Sequence, residues 1–205
     1  MKIEMGESLI YSYLRHVKKC LFTQTNWKAS SSWDYSPTTY SEVNAIFDKI
    51  LANPEFASIF PSSFDQTLKQ AEIDVLGIDG ANNIYAVDIA YHEAGLQYGT
   101  EKNETRDRVA KKLLRTMLLL KLYFPTTTHR IIFCSPKVTP ATHDRINAAM
   151  KLIRDGYEEN SVVFEYFAND DFYDRIMKPT LEGIKSEPDS SELFSRSIKL
   201  LELFK

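Results

Sequence analysis

Two aspartates carry the first chemistry in this sequence. Residues 71–79, AEIDVLGID, and 84–92, IYAVDIAYH, are rich in β-branched and apolar residues, and GANN lies between them. Two such runs around a Gly/Asn cluster predict a β-hairpin. Pairing through the turn sets Ile78 opposite Ile84, Leu76 opposite Ala86 and Asp74 opposite Asp88, like with like in the first two pairs. Side chains alternate along a strand, so Asp74 and Asp88 project from one face, followed there by Ala90 and His92. Opposed carboxylates repel, and their neighbours Val75, Leu76, Val87 and Ile89 are apolar. Burying such a pair without a partner costs several kcal/mol, by order of magnitude. A divalent cation removes the repulsion. Magnesium takes one or two carboxylates plus water and substrate phosphates, so this pair supplies the protein's share of a magnesium site. The bland alternatives are a water-facing strand end or pairing with Lys or Arg.

Other residues invite chemistry less sharply. His92 is either a ligand or proton shuttle, or a polar strand end. With no His-Glu-x-x-His in the chain, a zinc protease is excluded. Gly95 and Gly99 flank Leu96, Gln97 and Tyr98 just before a long helical pattern. Such a loop suits a phosphate at a helix start, or is a plain connection. It lacks the Gly-Lys-Ser/Thr ending of a phosphate loop. Trp27, Trp33, Tyr35 and Tyr40 could stack on bases or pack a loop onto the core. Cys20 and Cys134 have no metal-like spacing and read as buried thiols.

The elements that must position these residues follow from periodicity. Leu9, Ile10, Tyr13, Leu14 and Val17 make one helical stripe beginning near Gly6. CLFTQTNW, residues 20–27, is ambiguous between strand and other structure. A loop at Ser30, Ser31, Ser32 and Pro37 precedes a helix over about 41–51, and residues 54–69 read as irregular or short-helical. A long helix over about 104–123 carries Arg106, Arg108, Lys111, Lys112 and Arg115. RIIFCS and VVFEYF are short strands, separated by a helix with Thr139 as N-cap and Pro140 at its first position, ending at Gly156. Two helices, about 170–178 and 190–204, close the chain. The order implies one α/β domain over 1–205: a mixed central β-sheet flanked by helices on both faces, with a C-terminal helical extension over about 170–205.

Bulk properties bound the partners. The chain has 205 residues, 43% of them hydrophobic, and net charge −3, so it is not a generally basic nucleic-acid binder. The charge is uneven. Residues 101–121 hold seven Lys/Arg against three Asp/Glu, residues 1–28 five against two, and residues 155–192 three against eleven. One face can therefore meet a polyanion while the far end repels it, or these are ordinary solvated helix faces. The N-terminal MKIEMGESLIYSY has no apolar signal core, and Met117–Phe124 is too short to span a bilayer. A soluble, cytoplasmic protein with no membrane partner is expected, and two lone cysteines suit a reducing compartment.

The hairpin resembles the PD-(D/E)XK nuclease superfamily, the restriction-endonuclease-like fold. Glu72-Ile73-Asp74 matches the first acidic element, and Asp88-Ile89-Ala90 matches the acidic half of the second. Glu7 matches the glutamate that this family often carries in the helix before the sheet. The order helix, hairpin, helix, strand fits the family's core over roughly residues 1–135, with the remainder peripheral. The departure is Ala90, which stands where the family has its lysine. Family members can move that lysine to the next helix, which here offers Lys111 or Lys112, with Lys102 a weaker candidate; His92 is another. The resemblance implies a magnesium-dependent endonuclease, with manganese an alternative metal, hydrolysing DNA phosphodiester bonds. Asp74 and Asp88 would hold the metal, helped by the Ile89 carbonyl and Glu7. Lys111, Lys112 or His92 would serve the reacting phosphate, and Arg106, Arg108 and Arg115 would contact the nucleic-acid backbone. Many nucleases of this kind pair as homodimers. The missing strand lysine leaves a second expectation open: an inactive nuclease-like module that binds nucleic acid or protein.

Overall fold

The computed structural model describes residues 4–30, 32–185 and 191–204. In chain order they form α1 (Met5–His16), β1 (Phe22–Trp27), α2 (Pro37–Leu51), α3 (Phe64–Lys69), β2 (Ile73–Ile78), β3 (Asn83–Ile89), α4 (Glu104–Tyr123), β4 (Thr128–Ser135), α5 (Pro140–Tyr157) and β5 (Val162–Ala168). After these come α6 (Asp170–Phe172), a π-helical turn (Tyr173–Met177), α7 (Lys178–Ile184) and α8 (Leu193–Glu202). Ser31 of the expected serine loop and residue 190 of the expected last helix lie outside the described residues.

The strands make one mixed sheet in the order β1-β2-β3-β4-β5. The first two pairings are antiparallel and the last two parallel. The β2–β3 turn sets the register. Its Asp79 carboxylate accepts hydrogen bonds from the Ala81 and Asn83 N–H groups, and Asn82 takes a left-handed φ of 64°, which asparagine tolerates. Ile78 then pairs with Ile84 and Leu76 with Ala86, as the alternation predicts.

Helices cover both faces. On one, α2, α4 and α5 bring Phe47, Leu113, Met117 and Ile146 onto Leu76, Ala86, Ile131 and Phe133. On the other, Leu9, Ile10, Tyr13 and Leu14 of α1 meet Val75, Val87, Ile132 and Cys134. The C-terminal segment completes this second core with Phe172, Ile176, Ile184 and Phe194. It is therefore packed into the body of the protein and is not peripheral to it. Its anchor is Glu192, whose buried carboxylate takes the Ser12 hydroxyl at 2.6 Å and stands 2.9 Å from Arg15 Nη1 and 3.0 Å from His16 Nε2.

Several boundaries differ from the sequence reading. The ambiguous 20–27 segment contains edge strand β1. α2 starts at Pro37 because Ser36 caps it, accepting from the Thr39 N–H at 3.0 Å, with proline at the first position. Thr139 precedes α5 as expected, but its hydroxyl donates to Thr142 Oγ1 and caps no backbone group. The helix expected over 170–178 is interrupted by the π-helical turn and runs on to Ile184. The aromatic cluster packs a loop: Trp33 lies against Trp27 and Tyr123, and Tyr35 stacks on Tyr40. No described helix is long and apolar enough to cross a membrane.

Candidate functional site

β2 and β3 part at one end, and the site lies in that opening. The last paired residues are Val75 and Val87. One step further, the Asp74 side chain replaces the ladder: its Oδ2 accepts the Ile89 N–H at 2.9 Å. On the far side β3 stays paired, Ile89 with Cys134, and the Ala90 N–H donates to the Cys134 carbonyl at 3.0 Å. Asp88 is therefore held rigidly, and it is 1% exposed.

α4 closes the opening. Its apolar stripe, Val109, Leu113 and Met117, is pinned to the sheet, and this turns Lys112 toward the strands. The Lys112 ammonium lies 2.8 Å from Asp88 Oδ1 and 3.4 Å from Asp74 Oδ2. Two carboxylates and one ammonium thus share a mostly buried place. Unit charges at such range interact by about 4 kcal/mol at an effective dielectric constant near 20, enough to decide protonation.

The titration directions follow from burial and neighbours. Burial and then the Asp88 charge push Asp74 up to about 6, against the pull of Lys112 and the Ile89 N–H. Burial works to lower Lys112, but Asp88 and Asp74 outweigh it and hold the ammonium above its usual value. The site thus sets a charged lysine between two acids, one of which holds its proton up to about pH 6. Among the described residues no group of three or more His, Cys, Asp and Glu side chains is placed to hold a metal ion. The pair itself offers hard oxygen donors of the kind magnesium accepts, with waters or phosphate completing the shell.

Comparison with protein-family models, with curated proteins and with solved structures finds no match. The site therefore has to be read from its own geometry.

The other expected site residues scatter. Glu7 does not join the aspartates; its carboxylate accepts from Asn26 Nδ2 at 3.1 Å and from the Glu4 N–H at 3.4 Å. Ile89 contributes its N–H to Asp74. Lys111, next to Lys112, projects elsewhere, with its ammonium 5.8 Å from the Phe60 ring centroid. Burial, then Arg115 and Arg108, push Lys111 below its usual value. His92 lies beyond the end of β3 and meets the Tyr98 ring edge-on, with ring centroids 5.6 Å apart. Arg106 is spent on Glu55 and Asp107, at 2.8 and 2.7 Å. Arg108 pairs with Glu104 at 2.8 Å and lies over the Tyr98 ring. Arg115 keeps its Nε buried, without a partner among the described residues.

In the sequence Tyr98 has no role of its own: it is one of three residues between Gly95 and Gly99, in a loop that suits either a phosphate or a plain connection. Its one local signal is an aromatic between two glycines, and both glycines take positive φ, 107° at Gly95 and 69° at Gly99.

Proposed function

We propose that this chain is a magnesium- or manganese-dependent endonuclease of the restriction-endonuclease-like kind, hydrolysing phosphodiester bonds of DNA. The observation that carries the reading is Lys112: it brings a half-buried ammonium to both aspartates although the strand position that would supply it is Ala90. Asp74 and Asp88 would hold the metal, which when bound supplies charge stabilisation on the phosphate and a more acidic water. Lys112 would lie beside the reacting phosphate, orienting water and offsetting negative charge as it develops. The rigid pairing of β3 with β4 keeps Asp88 in place, and α4 carries Lys112 from the other side. Cys20 and Cys134 are unpaired and buried, which suits a cytoplasmic setting. A DNA partner draws support from the positive balance of residues 101–121, although Arg106 is already committed to internal ion pairs.

The test is nicking of supercoiled plasmid with magnesium or manganese. Wild type should nick, and Asp74→Ala and Asp88→Ala should each abolish nicking while keeping the circular dichroism of the folded protein. Normal cutting by both variants would remove this reading.

One observation favours a second reading. Lys112 already neutralises part of the acidic pair, and no third ligand joins it among the described residues. An inactive module that binds nucleic acid or protein would show retention of DNA at low salt with no cleavage in either metal.

A further inference from the structure

Thr105, Arg108 and Lys112 stand at i, i+3 and i+7 on α4, so they share one face of the helix. Tyr98 is laid along that face. Its N–H donates to Thr105 Oγ1 at 2.9 Å, and its ring centroid lies 5.5 Å from the Arg108 guanidinium carbon. Lys112 follows Arg108 one turn further along the same stripe. From the strand side, His92 meets the same ring at 5.6 Å with planes 89° apart. His92 lies three residues past the end of β3, the strand that carries Asp88. The tyrosine ring thus lies between Arg108, on the helix face that carries Lys112, and His92, in the segment that follows β3.

The loop that carries it is fixed at several points. The Gly95 N–H bonds the His92 carbonyl at 3.0 Å, and the buried Leu96 sends its N–H to the Lys137 carbonyl at 2.8 Å. The Lys137 ammonium returns to the Glu93 carbonyl at 3.0 Å. Among the described residues the Tyr98 hydroxyl has no hydrogen-bond partner, so its O–H remains available. Burial, and then the balance of Asp74 and Asp88 against Lys112, hold that hydroxyl above its ordinary titration range. It is a neutral donor at working pH.

We propose that Tyr98 is a substrate-contacting residue of this site, its hydroxyl donating a hydrogen bond to a non-bridging oxygen of the phosphate bound beside Asp74, Asp88 and Lys112. The inference rests on the nuclease reading above. A fixed neutral donor aimed at an oxygen that gains charge favours the transition state over the ground state, so its loss lowers the rate more than the affinity.

Tyr98→Phe is the informative variant, because it keeps the ring contacts with His92 and Arg108 and removes only the O–H. In single-turnover cleavage of plasmid or duplex DNA with manganese, the rate should fall by about 10- to 100-fold. DNA affinity should stay within about twofold of wild type and the melting temperature should not move, which a structural role for the hydroxyl would not produce. Replacing one non-bridging oxygen of the scissile phosphate by sulfur should slow wild type more than the variant for one of the two diastereomers. Wild-type cleavage rates in Tyr98→Phe, while Asp74→Ala and Asp88→Ala are inactive, overturn this proposal alone. Cleavage that survives in both aspartate variants, or no cleavage by wild type, overturns the nuclease reading and this proposal with it.

Discussion

Lys112 and Asp88 meet at 2.8 Å across the space between α4 and β3, with the carboxylate almost wholly buried. Each is the other's principal counter-charge, and Asp74 leans on the same ammonium at 3.4 Å. Removing the lysine leaves two buried like charges with only the Ile89 N–H to help. Breaking a buried pair from one side costs roughly 3–5 kcal/mol. Lys112→Met, which keeps the bulk of the stem, should therefore lower stability by about 3 kcal/mol in urea unfolding at pH 8. Millimolar magnesium should restore part of that loss, because a cation can take over the neutralising role. A Lys112→Met protein as stable as wild type without metal would mean that the three charges do not form one unit.

The raised Asp74 gives a signature in pH. A carboxyl whose pKa rises on folding binds its proton more tightly in the folded state. Metal-free protein should thus lose stability as pH climbs from near 4 through about 6, where Asp74 ionises beside Asp88. The loss attributable to this group is on the order of 3 kcal/mol. Asp74→Asn should flatten the profile across that window. The Lys112 contribution runs in the same direction but in a separate window: it is complete below the ordinary lysine range and is lost only as pH rises above it. Urea unfolding midpoints collected between pH 4 and 8 check the Asp74 profile, and a second series taken above pH 10 checks Lys112.

Legibility from sequence was best where one local rule governs. Alternation together with the Gly/Asn turn cluster at 80–83 was sufficient to fix the β2–β3 register, and with it the common face of the two aspartates. The ends of α4 were equally plain, since Glu104 and Tyr123 bound an uninterrupted periodic run. Lys111 and Lys112 could not be separated. Adjacent residues differ by about 100° around a helix, and only the docking of Leu113 and Met117 decides which one turns inward. Tyr98 was hidden for a different reason: its position depends on the Leu96–Lys137 bond, a contact across some forty residues of chain. Glu192 likewise gives no sign of its burial, which requires Ser12, Arg15 and His16 to be brought up from α1. The restriction-endonuclease-like resemblance remains a resemblance, carried by two aspartates, with Lys112 of α4 beside them.

Glu192 supplies a prediction independent of any nuclease activity. Its side chain is 3% exposed and accepts from Ser12, with Arg15 and His16 beside it. Next to it the Phe194 N–H donates to Ser8 Oγ at 2.8 Å, so this short stretch ties α8 to α1. Glu192→Ala should cost about 3 kcal/mol by leaving Arg15 and Ser12 without their acceptor, and Glu192→Gln roughly half that. Hydrogen exchange should locate the damage: amides of α8 lose protection first, while those of β3 and β4 keep theirs until global unfolding. Equal loss in the central strands would show that α8 and the sheet open as one unit.

The last prediction exchanges the two places from which an ammonium can reach the acids. Ala90 follows Asp88 on the same face of the strand and is buried beneath α4. A lysine there in otherwise wild-type protein would be forced against Lys112, so Ala90→Lys alone should fold less stably and cut no faster. With Lys112→Ala the situation reverses. That variant lacks the cation and leaves room near the aspartates, so Ala90→Lys combined with it should regain at least about tenfold in nicking rate over Lys112→Ala alone. It should also recover part of the lost stability. The double-mutant cycle measures the coupling directly, and opposite signs for Ala90→Lys in the two backgrounds are the expected result. A folded double variant as inactive as Lys112→Ala would mean that the ammonium must approach from the helix, and that strand and helix positions are not interchangeable here.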